Sequence, residues 1–183
     1  MEEYRTFWRR FWAGVIDSLV LWGVFYIPGR FDDYFSSPER GAATIIFWSL
    51  LLSVLTLAYT IVLHARYGQT IGKMVAKVKV LDVEETALPT YRQAVLRDIG
   101  VIAFHVLSVV LLAAAIFNGT YTNDLAAVDP ESVTIPWYEV VVGLAGFAWF
   151  VLEVVTMLFN KKRRALHDFI AGTVVVKTSE HDI

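Results

Sequence analysis

The chain has 183 residues, of which 56% are hydrophobic and 19% are charged, and its formal net charge is −2. Soluble domains are nearer about 45–50% apolar and about 25% charged, so this composition predicts an integral membrane protein built as a single domain, residues 1–183. The small net charge gives no reason to expect a nucleic-acid partner. The absence of cysteine excludes disulfides, thiolate metal sites and thiol catalysis.

Four apolar runs are long enough to cross the roughly 30 Å hydrocarbon core as helices that rise about 1.5 Å per residue. In chain order they are residues 11–27, 42–63, 99–117 and 140–159. The first run contains Asp17, and no small-residue cleavage pattern precedes Pro28, so we interpret it as a span and not as a signal peptide. The sequence therefore predicts an all-α membrane protein, a bundle of four transmembrane helices.

The positions of the basic residues predict the topology. Of the 16 lysines and arginines, 14 lie in the segment before the first run, in the loop between the second and third runs, and in the tail. These alternate segments lie on the same side, and the side rich in lysine and arginine faces the cytoplasm. We expect a multi-pass protein of the cell membrane with both termini in the cytoplasm.

The middle basic loop and the tail predict a small cytoplasmic cap. Residues 77–81 alternate polar and apolar side chains, and residues 173–176 are β-branched throughout, so each segment favours a strand. Two isolated strands at one membrane face are expected to pair, because neither can satisfy its backbone alone. Thr90 and Gln93 have the spacing of a capping box, which predicts a short helix leading into the third span.

Three ionisable residues lie inside predicted spans, where such groups are costly and are functional candidates. Asp17, His105 and Glu153 each lie seven or eight residues from the cytoplasmic end of a span, roughly 10–12 Å deep, so we expect a shared polar layer. Each also has a structural interpretation. Asp17 would pair with an arginine to fix helix packing, His105 would bond a neighbouring helix, and Glu153 would reach water along a crevice.

Familiar enzyme and cofactor motifs are not matched. The segment Gly68-x-Thr70-x-Gly72-Lys73 differs from a phosphate-binding loop, because three residues instead of four separate its glycines and Met74 replaces the serine or threonine that binds magnesium. The four histidines have no metal-ligand spacing, and no nucleophile with its base is recognisable. We expect no enzyme activity, no cofactor and no metal.

Three ordered motifs together resemble the RDD family of small prokaryotic membrane proteins, which is named for an arginine and two aspartates. The motifs are Arg10-x-x-Ala13-x-x-x-Asp17, Gly68-x-Thr70-x-Gly72-Lys73 followed by Val78-x-Val80, and Leu166-His167-Asp168-x-x-Ala171-Gly172 followed by residues 173–176. The resemblance implies that the arginine is Arg10 and that the aspartates are Asp17 and Asp168. Lys77 and Ala165 depart from it, each standing where a glycine is expected.

The resemblance implies a role in transport, including the exchange of a small cation for protons. The transport candidates are Arg10, Asp17, His105, Glu153 and Asp168, and the cytoplasmic motif is Gly68, Thr70, Gly72 and Lys73. The alternative is a non-transporting scaffold or accessory protein whose basic cytoplasmic face binds a partner or anionic lipids. Four spans are few for a complete transporter, so we expect a homo-oligomer in the bilayer if the protein transports.

Overall fold

A computed structural model describes residues 3–35, 42–118 and 137–178 of the chain. In order, its elements are α1 (Phe7–Phe35), α2 (Ala42–Tyr67), α3 (Ile71–Val75), β1 (Val78–Asp82), α4 (Tyr91–Arg97), α5 (Ile99–Phe117), α6 (Trp137–Phe159), α7 (Leu166–Ala171) and β2 (Thr173–Lys177). Of the two connections that the sequence leaves around residues 28–41 and 118–136, residues 28–35 belong to α1, and residues 36–41 and 119–136 lie outside the described residues.

Three of these helices have the length and apolar composition to cross a membrane. They contain Ile46–Tyr67 of α2, Ile99–Phe117 of α5 and Val140–Phe159 of α6. Large apolar side chains such as Phe147 and Val106 are exposed along them, as expected of surfaces that contact lipid. The structure therefore confirms a largely helical chain and shows three candidate membrane-spanning helices among its described residues.

The first predicted span falls within α1, which is helical throughout its 29 residues. Among the described residues α1 does not have the apolar composition of a span, since its first 18 residues include the charges of Arg9, Arg10 and Asp17. Side chains beyond residue 24 lie outside the described part of α1. The structure thus shows three spans where the sequence predicts four, and the fourth stays a prediction.

The predicted pair of strands is confirmed. β1 and β2 form an antiparallel two-stranded sheet in which Val78 faces Lys177, Val80 faces Val175 and Asp82 faces Thr173. The alternating pattern buries Val78 and Val80 completely, and they pack with Val175 in a small apolar core. The sheet therefore holds the tail against the loop between α2 and α5.

The predicted capping box at Thr90 is also confirmed. The Thr90 side chain accepts from the backbone N–H of Gln93, and the Gln93 side chain accepts from the backbone N–H of Thr90 at 2.9 Å. This cap starts α4, and Asp98 separates α4 from α5. The side chain of Gln93 also donates to the backbone carbonyl of Gly172, which connects α4 to the end of α7.

Candidate functional site

The first part of the site is a buried carboxylate held by two arginines. Asp168 lies in the first turn of α7 and is fully buried. Its Oδ2 accepts from Nη1 of Arg10 on α1 at 2.6 Å and from the backbone N–H of Ala165 at 2.9 Å. Its Oδ1 accepts from Nη1 of Arg97, at the end of α4. We call Arg10, Arg97 and Asp168 the arginine clasp.

The electrostatics of the clasp keep Asp168 ionised. Burial alone raises the pKa of this carboxyl group, but the guanidinium groups of Arg97 and Arg10 hold the pKa well below its usual range. Arg164 adds two bonds that fix α7, from its Nη2 to the Asp168 carbonyl and from its Nε to the Thr173 carbonyl, each 2.8 Å. The clasp therefore joins α1, α4 and α7 through ion pairs to the Asp168 carboxylate.

The aspartate of the first sequence motif, Asp17, has a different set of partners. Asp17 on α1 accepts from the Tyr59 hydroxyl at 2.7 Å, from the Thr70 hydroxyl at 2.6 Å and from the backbone N–H of Gly72 at 2.8 Å. Arg10 pairs with Asp168. Asp17 therefore connects α1 to α2 and to the start of α3.

The glycines of the motif Gly68-x-Thr70-x-Gly72-Lys73 allow this close approach. A Cβ atom on Gly72 would lie 2.1 Å from the carbonyl oxygen of Ala13, so only glycine lets α3 lie against α1. Gly68 has a φ of +67° and bonds β1 through its carbonyl, which accepts from the Val80 N–H at 2.8 Å. Thr70 caps α3 by accepting from the Lys73 N–H. The motif is thus a turn that positions Lys73.

Lys73 meets a histidine from α2. Its Nζ lies 2.8 Å from Nε2 of His64, which is buried in the last turn of that helix. Burial is the largest influence on Lys73, and the positive charge of Arg97 adds to it, so together they lower the pKa of Lys73 to about 7. The carboxylates of Asp17 and Asp98 act in the opposite direction.

A second pair joins α6 to α7. Nδ1 of His167 lies 2.5 Å from Oε2 of Glu153, and its Nε2 lies 3.5 Å from Oδ1 of Asp168. The imidazole therefore bridges the intramembrane carboxylate and the arginine clasp. The other carboxylate oxygen of Glu153, Oε1, is buried and has no hydrogen-bond partner among the described residues.

These groups surround one cavity of about 240 Å³. Its walls are contributed by α1, α2, α3, the junction of α4 with α5, α6 and α7, and most of its lining side chains are polar or ionisable. The lining residues are Arg10, Gly14, Asp17, Thr60, His64, Thr70, Lys73, Arg97, Asp98, Gly100, Val101, Trp149, Glu153 and His167. We call this space the polar cavity. It can accommodate a few water molecules or a small hydrated ion.

The structure brings together most of the candidates that the sequence predicts, with one exception. Arg10, Asp17, Glu153, Thr70 and Lys73 line the polar cavity. Asp168 lies directly behind its wall, bonded to Arg10. Gly72 contacts Asp17 through its backbone N–H, and Gly68 shapes the turn.

His105 does not join them. It is not among the cavity residues, and its Nδ1 lies 2.8 Å from the carbonyl oxygen of Val101 in its own helix. The predicted layer of Asp17, His105 and Glu153 is therefore corrected to Asp17 and Glu153 with His64 and His167. Equal depth along two helices does not imply that two side chains share a face.

Sequence reasoning missed four ionisable residues of the cavity: His64, Arg97, Asp98 and His167. Arg97 and Asp98 mark the boundary before the third span, and His167 lies within the Leu-His-Asp motif, so their positions in the chain carry a signal. His64 ends the second span beside Arg66, where a polar residue needs no function. Among the described residues, no group of three or more histidine, aspartate or glutamate side chains is arranged to hold a metal ion.

The comparison with known proteins decides the family. The model of the RDD family matches residues 4–172, which include every residue of the arginine clasp and the polar cavity. The chain belongs to the RDD family. It is also similar to the uncharacterized membrane protein YteJ of Bacillus subtilis (strain 168), with 31% identity over 177 residues, 96% of this chain and 82% of the relative. No solved structure matches the chain.

The two departures from the RDD pattern fall at turns. Lys77, in place of a glycine, has a φ of +54°, a left-handed conformation that costs a residue with a side chain more than it costs glycine. Ala165 has an extended backbone with a φ of −78°, which any residue adopts. Its N–H donates a hydrogen bond to the Asp168 carboxylate. The turn at Lys77 is therefore the strained one.

Proposed function

We propose that this RDD-family membrane protein exchanges a small cation for protons through the polar cavity. The observation that carries the proposal is the convergence of Asp17, Glu153, His64, His167 and Lys73 on one cavity beside the ends of three apolar helices. Ionisable groups inside a helical bundle are rare and mark ion and proton pathways. The cavity has carboxylates that can bind a cation, and it also has nitrogen bases that can bind a proton.

The topology that this function needs is part of the proposal. The protein would lie in the cell membrane with α1 as a fourth span and with the β1–β2 sheet, α3, α4 and α7 on the cytoplasmic side. The polar cavity then lies at the inner end of the bundle. Because four spans are few for a transporter, we propose a homo-oligomer, which the mass of the protein in detergent micelles would test.

Flux in vesicles tests the exchange. Purified protein reconstituted in vesicles that contain a pH-sensitive dye is exposed in turn to gradients of sodium, potassium and lithium. At least one gradient is expected to move protons faster than in empty vesicles. Proton movement that stays at the empty-vesicle rate for all three cations would refute exchange of these ions and favour the scaffold function.

Variants locate the flux. Glu153→Gln removes a charge at the cavity wall and should abolish proton movement while the helices remain folded. Thr156→Val is the matched control on α6, because the Thr156 hydroxyl bonds the Leu152 carbonyl of its own helix at 2.8 Å. His105→Gln should preserve flux, and a loss comparable to that of Glu153→Gln would restore His105 to the pathway.

A scaffold function has an observation of its own. Both oxygens of Asp17 and both oxygens of Asp168 accept hydrogen bonds within the protein, so these two family residues act structurally without any ligand. In that case the basic cytoplasmic face would bind anionic lipids or a partner. Thermal stability of the purified protein in detergent with added anionic lipid, compared with added neutral lipid, measures the lipid arm of this alternative.

A further inference from the structure

The contact between Lys73 and His64 has the geometry of a proton-transfer pair. Their Nζ and Nε2 atoms are 2.8 Å apart, a hydrogen-bond distance, and both residues line the polar cavity. We propose that Lys73 and His64 are the proton-binding pair of the cavity, with His64 passing protons between the cavity and Lys73. This inference rests on the proposed exchange and names the residues that bind its proton.

The proton inventory of the pair follows from the two side chains. A charged lysine has three donors and no acceptor, so Nε2 of His64 must then be unprotonated and Nδ1 must carry the ring hydrogen. When the pair releases a proton, the hydrogen on Nδ1 leaves to the cavity and one Nζ hydrogen moves to Nε2. Lys73 is then neutral and His64 remains neutral in its other tautomer. One proton is lost, and no other bond is formed or broken.

Nδ1 of His64, the ring nitrogen that does not contact Lys73, is suited to pass a proton to the cavity. Nδ1 of His64 is buried and has no hydrogen-bond partner in the part of the chain that the structure describes. Three other buried polar atoms on cavity residues share this property: Arg10 Nη2, Asp98 Oδ2 and Glu153 Oε1. Buried polar atoms without a protein partner require a solvent or ligand partner, since leaving them unpaired is costly. Water or a hydrated cation in the cavity would supply it.

Charges on every neighbouring element influence the pair. Arg10 on α1 and Arg97 on α4 disfavour a proton on Lys73, whereas Asp17 on α1 and Asp98 before α5 favour it. His167 and Asp168 of α7 act on His64 from the opposite wall. With burial, this balance brings the pKa of Lys73 to about 7, where a group can both gain and lose a proton.

The same balance couples the proton to a cation. A cation that enters beside Asp98 cancels part of the negative potential that favours a charged Lys73. Lys73 then releases its proton more readily, and by linkage a protonated Lys73 weakens cation binding. The proton and the cation therefore disfavour each other's binding in the cavity. Exchange requires such mutual exclusion, because the two ions must cross in turn.

Nuclear magnetic resonance tests the pair without relying on flux. Protein labelled with [6-13C]lysine has six labelled lysines, and the signal lost in Lys73→Arg identifies Lys73. In detergent micelles its Cε signal should titrate near neutral pH, well below the value of about 10.4 for an unperturbed lysine. A Lys73 midpoint near that of the other lysines would overturn the proposal.

Nuclear magnetic resonance of protein labelled with 15N-histidine tests the role of His64. The ring nitrogens of His64, assigned by the loss of its signals in His64→Gln, should change tautomer with the same midpoint as Lys73. If the His64 nitrogens do not respond while Lys73 titrates, the relay is refuted.

Flux separates this inference from the proposed function. Lys73→Arg keeps a positive charge that cannot be released near neutral pH, so it should abolish proton exchange, whereas Lys79→Arg on β1 should not. If the Lys73→Arg variant exchanges protons as fast as the wild type, the proposed pair is refuted and the exchange function remains. Coupled titration of Lys73 and His64 in a protein that moves no cation would support the pair and refute the exchange.

Discussion

Arg10 and Asp168 are 158 residues apart in the chain, yet Nη1 of the arginine lies 2.6 Å from Oδ2 of the aspartate in the interior of the protein. Arg97 binds the other carboxylate oxygen, so one anion neutralises part of the charge of two cations. The cluster keeps a net positive charge, and this charge acts on the neighbouring Lys73. The arginine clasp therefore both joins the helices and sets the electrostatics of the polar cavity.

Removal of the Asp168 carboxylate should lower the stability of the protein more than removal of the Arg10 guanidinium. Asp168→Asn leaves Arg10 and Arg97 uncompensated and should lower the free energy of unfolding by about 3–5 kcal/mol. Arg10→Gln should cost less, because Arg97 still neutralises Asp168. The double variant should lose less stability than the sum of the two single losses. Thermal unfolding in detergent measures each variant, with the exposed Arg66→Gln as the control.

Gly72 should tolerate no side chain. Gly72→Ala places a Cβ atom 2.1 Å from the Ala13 carbonyl oxygen and 2.8 Å from Cγ of Asp17, so α3 must move away from α1. We expect a loss of several kcal/mol of stability and of the bond between Gly72 and Asp17. Gly23→Ala on α1 is the matched control, since nothing lies within 4 Å of the added atom. Equal melting temperatures for the two variants would contradict the close packing of α3 on α1.

Lys73 should make stability depend on pH in an unusual direction. Its pKa is about 7 in the folded protein and 10.5 in an unperturbed lysine. Between these values the unfolded chain holds a proton that the folded protein lacks, so the contribution of this group to stability rises with pH. Lys73→Met should therefore raise the melting temperature most at pH 6 and least near pH 10.

The comparison is made variant against wild type at each pH, which removes the titration of other groups. Lys79→Met is the control for loss of a lysine outside the cavity. A gain from Lys73→Met that is constant between pH 6 and pH 10 would show that Lys73 has an ordinary pKa.

The proposed topology predicts which positions an impermeant thiol reagent reaches. The chain has no cysteine, so each introduced cysteine reports alone. Asn123→Cys should react in intact cells, whereas Glu84→Cys, an exposed position after β1, should react only after the membrane is opened. Reaction of Glu84→Cys in sealed cells would place the sheet outside and reverse the orientation.

Local patterns predicted the elements well. The alternation of residues 77–81 fixed which side chains of β1 are buried, because a strand exposes its two faces by turns. Thr90 and Gln93 located the start of α4, because a capping box depends on residues three apart. Both features are decided within a few residues of chain.

Contacts between elements were harder to predict. Depth along a span can be counted from the charges at its end, but the rotation of one helix against another depends on packing that no single run encodes. His105 and Glu153 have similar predicted depths, and only Glu153 lines the cavity. The meeting of His64 with Lys73 depends on the turn at Gly68, which reverses the chain between them.

The position of Asp168 in the chain has a consequence for biosynthesis. Arg10 and Arg97 emerge from the ribosome 158 and 71 residues before the carboxylate that neutralises them. Until α7 and β2 are made, the guanidinium groups of Arg10 and Arg97 have no clasp partner, and β1 has no strand beside it. The β1–β2 sheet and the arginine clasp therefore form only after the three apolar helices have been synthesised. A nascent chain that stalls before residue 168 should therefore expose both guanidinium groups and the unpaired edge of β1.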